Sequence, residues 1–156
     1  MLALFGPGTL TVTSSAFITN GNIPIQFTCE GKGVNPPLTI SNIPRLAKSL
    51  VIIVEDPDTK KGTFDHWVVW NITPTAVIDE NSAPGVEGKN GENTIGYKGP
   101  CPPDGRHRYF FKVYALDVML DLKKGSDKPT VLNTMKGHIL AEGELIGLYQ
   151  KQHAQE

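Results

Sequence analysis

Apolar and polar residues alternate with a period of two along most of this chain, the mark of half-buried strands rather than helices. Leu10-Thr-Val-Thr13 and Ile25-Gln-Phe-Thr-Cys29 read as short strands, and Leu38-Thr-Ile40 as a brief extended piece after the Asn35-Pro-Pro turn. Residues 49–55 (SLVIIVE) are β-branched and nearly all apolar, which predicts a strand buried on both faces. Residues 67–72 (WVVWNI) form a second such run, and 108–116 (RYFFKVYAL) a third, long and aromatic. Helical signals are few. Residues 130–136 place Val131, Leu132 and Met135 on one face, with Gly137 as a natural stop. Residues 139–149 fit a helix or a strand; the alternation of Leu140, Glu142 and Glu144 against Ile139, Ala141 and Leu145 favours a strand. The pattern predicts a mainly β protein with one or two short helices.

Two punctuated stretches interrupt it. Residues 57–65 (PDTKKGTFD) are short enough to join neighbouring strands as a hairpin loop. Residues 79–105 hold six glycines and four prolines and no clear element; a loop that long inside a domain is usually functional. Sixteen glycines and twelve prolines in 156 residues fit a turn-rich chain of one domain, 1–156. A formal charge of -1 argues against gripping nucleic acid by bulk charge. No apolar run is long enough for a membrane span, and Met1-Leu-Ala-Leu-Phe-Gly-Pro7 lacks a basic n-region. The expectation is a cytoplasmic protein without integral membrane association. On that expectation Cys29 and Cys101, 72 positions apart and in no metal-ligand spacing, are two free thiols.

Candidate chemistry gathers at strand ends. Asp56 ends one buried strand, and His66 and His107 stand immediately before two others. If 49–55 and 67–72 pair antiparallel through the 57–65 loop, Asp56 and His66 fall at the same end of the sheet. Alternation puts His107, Tyr109, Phe111 and Val113 on one face and Arg108, Phe110, Lys112 and Tyr114 on the other. If the third strand begins at that same end, Asp56, His66, His107 and Tyr109 converge. Imidazole and phenol donors suit anionic oxygens, and a carboxylate can fix a histidine tautomer or hold its cation. Residues 99–105 (GPCPPDG) would supply a stiff wall, with glycine letting backbone N–H groups approach a ligand. Each part also has a plain structural reading. An Asx-turn accounts for Asp56-Pro-Asp58, Trp67 and Trp70 pack in the core, and His138 caps a helix or fills the core. His153 lies in a polar tail, and Lys60-Lys61 is a solvated loop tip.

Asp56-Pro-Asp58, His66-Trp67 before an apolar strand, and Gly99-Pro-Cys-Pro-Pro-Asp-Gly-Arg-His107-Arg-Tyr109 together resemble the phosphatidylethanolamine-binding protein family. That family includes the Raf kinase inhibitor proteins and plant flowering regulators; the likeness is greatest to its short bacterial and archaeal members. It runs from about Asn35 through Tyr149, with Tyr114-Ala-Leu-Asp117 and Gly137-His-Ile-Leu140 inside it. The resemblance implies a large central antiparallel sheet, a smaller second sheet and short helices. It also implies an anion pocket of Asp56, His66, Gly99, Pro100, His107 and Tyr109 for phosphate-like or phospholipid head groups. It brings no established catalytic activity, cofactor or metal, and homodimers among the microbial members. One position departs: the family commonly continues Asp-Pro-Asp-Ala-Pro, whereas this chain has Thr59-Lys60. Two further readings stay open. One is a kinase or protease regulator acting by protein–protein interaction. The other is an enzyme using the histidines and carboxylate as metal ligands or as an acid–base pair.

Overall fold

The structure is a computed structural model that describes residues 7–152; the expectations for His153 and for the first six residues lie outside them. Ten strands and one α-helix follow in chain order: β1 Gly8–Thr9, β2 Thr11–Thr13, β3 Gly21–Asn22, β4 Leu38–Ser41, β5 Ser49–Asp56, β6 Phe64–Ile72, β7 Val77–Ile78, β8 Val86–Glu87, β9 His107–Leu116, α1 Lys128–Met135 and β10 Ile139–Tyr149. Seven strands form one sheet in the order β1-β10-β9-β5-β6-β8, with β3 also pairing β10, and β2-β4-β7 form a smaller antiparallel one. The long strands pair antiparallel, while β1 and β3 add short parallel edges to β10. The architecture is mainly β: one large sheet, a three-stranded second sheet and one α-helix.

The double burial of β5 follows from its sequence. Leu50, Ile52 and Val54 join the core shared with the small sheet, alongside Leu38, Ile40, Phe111 and Val113. Val51 and Ile53 face the other way, into a second core with Val68, Trp70, Val131 and Met135. A strand with helix on one side and sheet on the other has no polar face to present, so its apolar run is continuous. The helix begins where Asp127 accepts a hydrogen bond from the Thr130 backbone N–H, 3.0 Å away. It stops before Gly137, whose φ of 82° is open to glycine at little cost. Leu132, expected on the packed face, is instead 38% exposed.

Two further expectations are overturned in the fold. Residues 25–29 are not a strand: Ile25–Phe27 form a 3-10 turn, with Phe27 and Thr28 N–H groups donating to the carbonyls of Pro24 and Ile25. The alternation there was real, but Pro24 fixes the chain at the turn's entry and only Phe27 of the turn is buried. Cys29 and Cys101 are not free thiols. They form a disulfide, with Cα atoms 5.4 Å apart, because the fold lays the 99–101 segment on the 27–29 turn. A separation of 72 positions carries no information about that. The 79–105 stretch is irregular as expected, apart from β8 and one bridge between Lys89 and Ile95. No helix among the described residues is long and apolar enough to cross a membrane.

Candidate functional site

β5 leaves the large sheet at the end where β6 and β9 enter it, and this connectivity assembles the site. Asp56 is the last residue of β5 and shares the face of Ile52 and Val54; His107 and Tyr109 open β9 on that same face. His66 arrives differently. In the β5–β6 register Val54 faces Trp67 and Glu55 faces Asp65, which leaves His66 as the extra residue of a bulge. Strict alternation would turn His66 away from Trp67, towards the helix side with Val68 and Trp70. The bulge re-aims it, so that His66 and Trp67 both point to the side of Tyr109.

The four side chains form one connected group. Nδ1 of His107 donates to Oδ2 of Asp56 at 2.7 Å, with both residues buried. The other carboxylate oxygen, Oδ1, accepts from the Asp58 backbone N–H at 2.7 Å. The Asx-turn and the histidine partner are therefore two halves of one arrangement. Nδ1 of His66 donates to the Lys98 carbonyl at 2.6 Å, and the His66 ring meets Tyr109 edge-on at 5.2 Å between centroids. Burial holds the His66 imidazole below its ordinary pKa, against the pull of the Lys98 carbonyl and Asp56. Burial, reinforced by the Asp56 charge, pushes the Tyr109 phenol well above its ordinary range. Its hydroxyl faces that carboxylate but completes no well-formed hydrogen bond among the described residues.

These residues line a cleft of about 180 Å³, far more than the ~10–15 Å³ that one water needs. Gly99 lines it as expected, but Pro100 does not. Pro100 is turned into the interior, where its carbonyl accepts from the Cys29 N–H at 3.1 Å. Cys101, Pro102 and Pro103 take the wall instead. The glycine at 99 answers a packing need: a Cβ there would lie 2.9 Å from the Phe27 carbonyl oxygen and the Thr28 Cα. Tyr97 ties down the same turn by donating to the Phe27 carbonyl at 2.8 Å.

Phe64, Thr59, Glu92 and Lys98 also line the cleft and were not anticipated. Phe64 and Lys98 had a local signal, since they flank His66 and Gly99. Glu92 had none; the 79–105 loop brings it in, and it pairs with the Lys98 ammonium at 3.3 Å. At the rim, Asp58 takes the Arg108 guanidinium through both oxygens, at 2.8 and 3.0 Å. Those hydrogen bonds hold its carboxyl down to a pKa of about 2. Lys60, which replaces the family's common proline, reaches Asp104 at 3.5 Å with both side chains largely exposed. His138 is outside the cleft, paired with Asp117 at 2.9 Å. Trp67 and Trp70 are fully buried.

Chemically, the cleft joins a buried carboxylate, two oriented imidazoles and a phenol hydroxyl beside that carboxylate, in an aromatic surround. Known proteins share the fold and most of the chain. Residues 13–150 match the family model described as phosphatidylethanolamine-binding protein. A UPF0098 protein of Methanothermobacter thermautotrophicus is 44% identical over 150 residues, covering 91% of this chain and 99% of its own. The crystal structure of a Chlamydia trachomatis protein, described as a putative phosphatidylethanolamine-binding protein homolog, superposes with a TM-score of 0.89 at 44% identity, covering 93% and 99% of the two chains. Escherichia coli YbcL, described as a new member of the mammalian family, superposes with a TM-score of 0.84 at 27% identity over 93% and 100%. With the family model spanning most of its length, the chain belongs to the phosphatidylethanolamine-binding protein family.

Proposed function

We propose that this protein is a non-catalytic binding module whose cleft takes phosphate-like or phosphorylated small anions, of the kind a phospholipid head group presents. The observation that carries this reading is the Tyr109 hydroxyl. It is fully buried, lines the cleft, and has no well-formed hydrogen bond of its own. Buried donors are almost always satisfied, so one left over at a cavity implies a partner from outside. The family's name points the same way. Asp56 sets a condition on the ligand, because a phosphate dianion beside that carboxylate is repelled unless a proton accompanies it. Phosphate should therefore bind more tightly near pH 6 than near pH 8. Titration calorimetry with inorganic phosphate tests this in the native protein and in His107→Ala. Absence of binding at both pH values would remove the reading.

A second reading draws on the same His107–Asp56 pair, since a carboxylate-oriented imidazole is also the arrangement of a general base. Phosphorus NMR of phosphate esters incubated with the protein distinguishes the two: binding without turnover is the expected result. Self-association into homodimers belongs to the first reading and is checked by light scattering. The cytoplasmic location expected from the sequence sits awkwardly with a disulfide, which persists mainly in oxidising compartments and in the cytosol of hyperthermophiles. Fractionation combined with thiol trapping decides that point.

A further inference from the structure

The disulfide is also part of the cleft. Cys101 lines it, and Pro102 and Pro103 continue that wall, whereas Cys29 stands on the far side of the bridge. Both cysteines are exposed and lie outside the two apolar cores. Exposed bridges are the ones that thiols reach and reduce; structural bridges resist reduction. The segment that this bridge anchors has few other ties. Two of the six residues 101–106 are prolines, which have no N–H to donate. No backbone group of 101–106 makes a hydrogen bond among the described residues. Gly105 has a φ of 69° and nothing within 4 Å of where a Cβ would stand. The ion pair of Asp104 with Lys60 is largely exposed on both sides. The stretch just before the bridge is held differently. Gly99 and Pro100 are buried, the Pro100 carbonyl accepts the Cys29 N–H, and Tyr97 donates to the Phe27 carbonyl. Opening the bridge therefore frees 101–106 and leaves 97–100 and both cores in place.

Resting on the anion-binding reading above, we infer that the Cys29–Cys101 bridge is a redox latch on the cleft. A dithiol reductant opens it in the folded protein, residues 101–106 come loose, and the cleft's hold on its anion weakens. One thiolate of the dithiol attacks a sulfur of the bridge, the S–S bond breaks, and a mixed disulfide joins reductant and protein. The second thiol of the reductant then attacks the first and releases the protein's sulfur. Two electrons and two protons have moved: the protein carries two thiols and the reductant one disulfide. Affinity falls because a loose wall must be ordered again each time an anion enters, and fixing one residue's backbone lowers affinity about tenfold. With the bridge closed, the wall is ordered before the anion arrives.

The test compares the oxidised native protein with the same protein reduced by excess dithiothreitol and kept from air, the thiol state being read by alkylation and mass. Two readouts need no ligand. Fluorescence of Trp67 and Trp70, both fully buried, should be unchanged on reduction. Trypsin should cut after the exposed Arg106 about tenfold faster in the reduced form, since cleavage follows the open population. The third readout is calorimetry with inorganic phosphate near pH 6, whose affinity should fall about tenfold on reduction. Cys29→Ser removes the bridge from the side away from the cleft; it should match the reduced protein and no longer respond to dithiothreitol. A bridge that resists dithiothreitol until the protein unfolds would overturn the inference. Loss of the buried tryptophan signal on reduction, equal tryptic rates after Arg106, or equal phosphate affinity in the two forms would overturn it as well. Phosphate bound by neither form would overturn the anion-binding reading and the affinity half with it, while the tryptic rates still judge the release of the wall.

Discussion

His107 and Asp56, 51 positions apart in the chain, meet through a 2.7 Å hydrogen bond with both side chains buried. The second oxygen of Asp56 accepts the Asp58 N–H, a second anchor that opposes rotation of the carboxylate. Asp56→Asn has a single acceptor oxygen: given to the Asp58 N–H it turns the amide N–H onto the ring, and given to the ring it leaves the turn N–H facing a donor. A buried hydrogen bond to a charged group is worth ~1.5–3 kcal/mol, so the variant should lose about that much stability. Urea unfolding followed by Trp fluorescence measures it. The neutral amide also removes the repulsion of a phosphate dianion, so the loss of phosphate affinity between pH 6 and pH 8 should shrink in the same variant.

Tyr109 and Tyr97 make a matched pair of opposite sign. The Tyr97 hydroxyl donates to the Phe27 carbonyl, while the Tyr109 hydroxyl approaches the Asp56 carboxylate without completing a well-formed hydrogen bond. Tyr97→Phe should cost ~1 kcal/mol by removing a made bond, whereas Tyr109→Phe should cost nothing or stabilise by ~1 kcal/mol. The ligand-binding consequences reverse: Tyr109→Phe should weaken phosphate about tenfold and Tyr97→Phe should leave it unchanged. Paired denaturation and calorimetry on the two variants check both halves.

Acid should weaken the protein in two stages. His66 is held by burial below its ordinary 6.5, so the unfolded state binds the extra proton first. Stability contributed by the neutral ring is present above pH 6.5 and declines below it. Asp58 follows lower down. Its hydrogen bonds from Arg108 depress its pKa from 3.8 to about 2, so its contribution is present above pH 3.8 and is lost as pH falls through about 2. Asp58→Ala should lower the thermal midpoint at pH 7 by a few degrees, about 2–4 °C per kcal/mol, and the difference from the native protein should vanish near pH 2. Thermal melts from pH 8 to 2 test the order of the two stages.

Reducing the disulfide between Cys29 and Cys101 should be costly. Loop-entropy arguments give a closed loop of this length about 4 kcal/mol. Native and Cys29→Ala/Cys101→Ala proteins compared by urea titration would reveal it. Equal midpoints would mean that the Gly99 and Tyr97 contacts on the 27–28 backbone suffice to hold the wall.

Charge redistribution across the other face of the sheet gives one more check. Glu55 accepts from Lys112 at 3.0 Å and from Lys128 at 3.1 Å, and Lys128 also pairs with Asp65 at 2.6 Å. These pairs are half-buried and tie α1 to β5, β6 and β9. Lys128→Met should destabilise by more than the 0.2–1 kcal/mol typical of exposed pairs, because two carboxylates lose a shared cation. The loss should persist in 1 M salt, where exposed pairs are screened; chemical denaturation at low and high salt tests it.

The strands β2, β4, β5, β6, β9 and β10, the double burial of β5 and the opposite faces of β9 were legible in the sequence, because side-chain direction in a strand follows parity; the short edges β1, β3, β7 and β8 were not, and residues 25–29 misled. The helix stop at Gly137 and the Asx-turn at Asp56 were legible for the same local reason. So were Asp56, His66, Gly99, His107 and Tyr109 as site candidates, from strand ends and a motif. Three things were decided only in three dimensions. The bulge at His66 depends on how β6 registers against β5, and no residue in β6 announces an extra position. The disulfide and the place of Pro100 depend on the 99–101 segment lying on the 27–29 turn, a contact between segments some 70 positions apart. The tautomers of His66 and His107 depend on which acceptor stands behind each ring, and a one-dimensional string does not contain that. Local chemistry is written in neighbouring residues; a site made from three strand ends and a loop exists only once packing has chosen which of them meet.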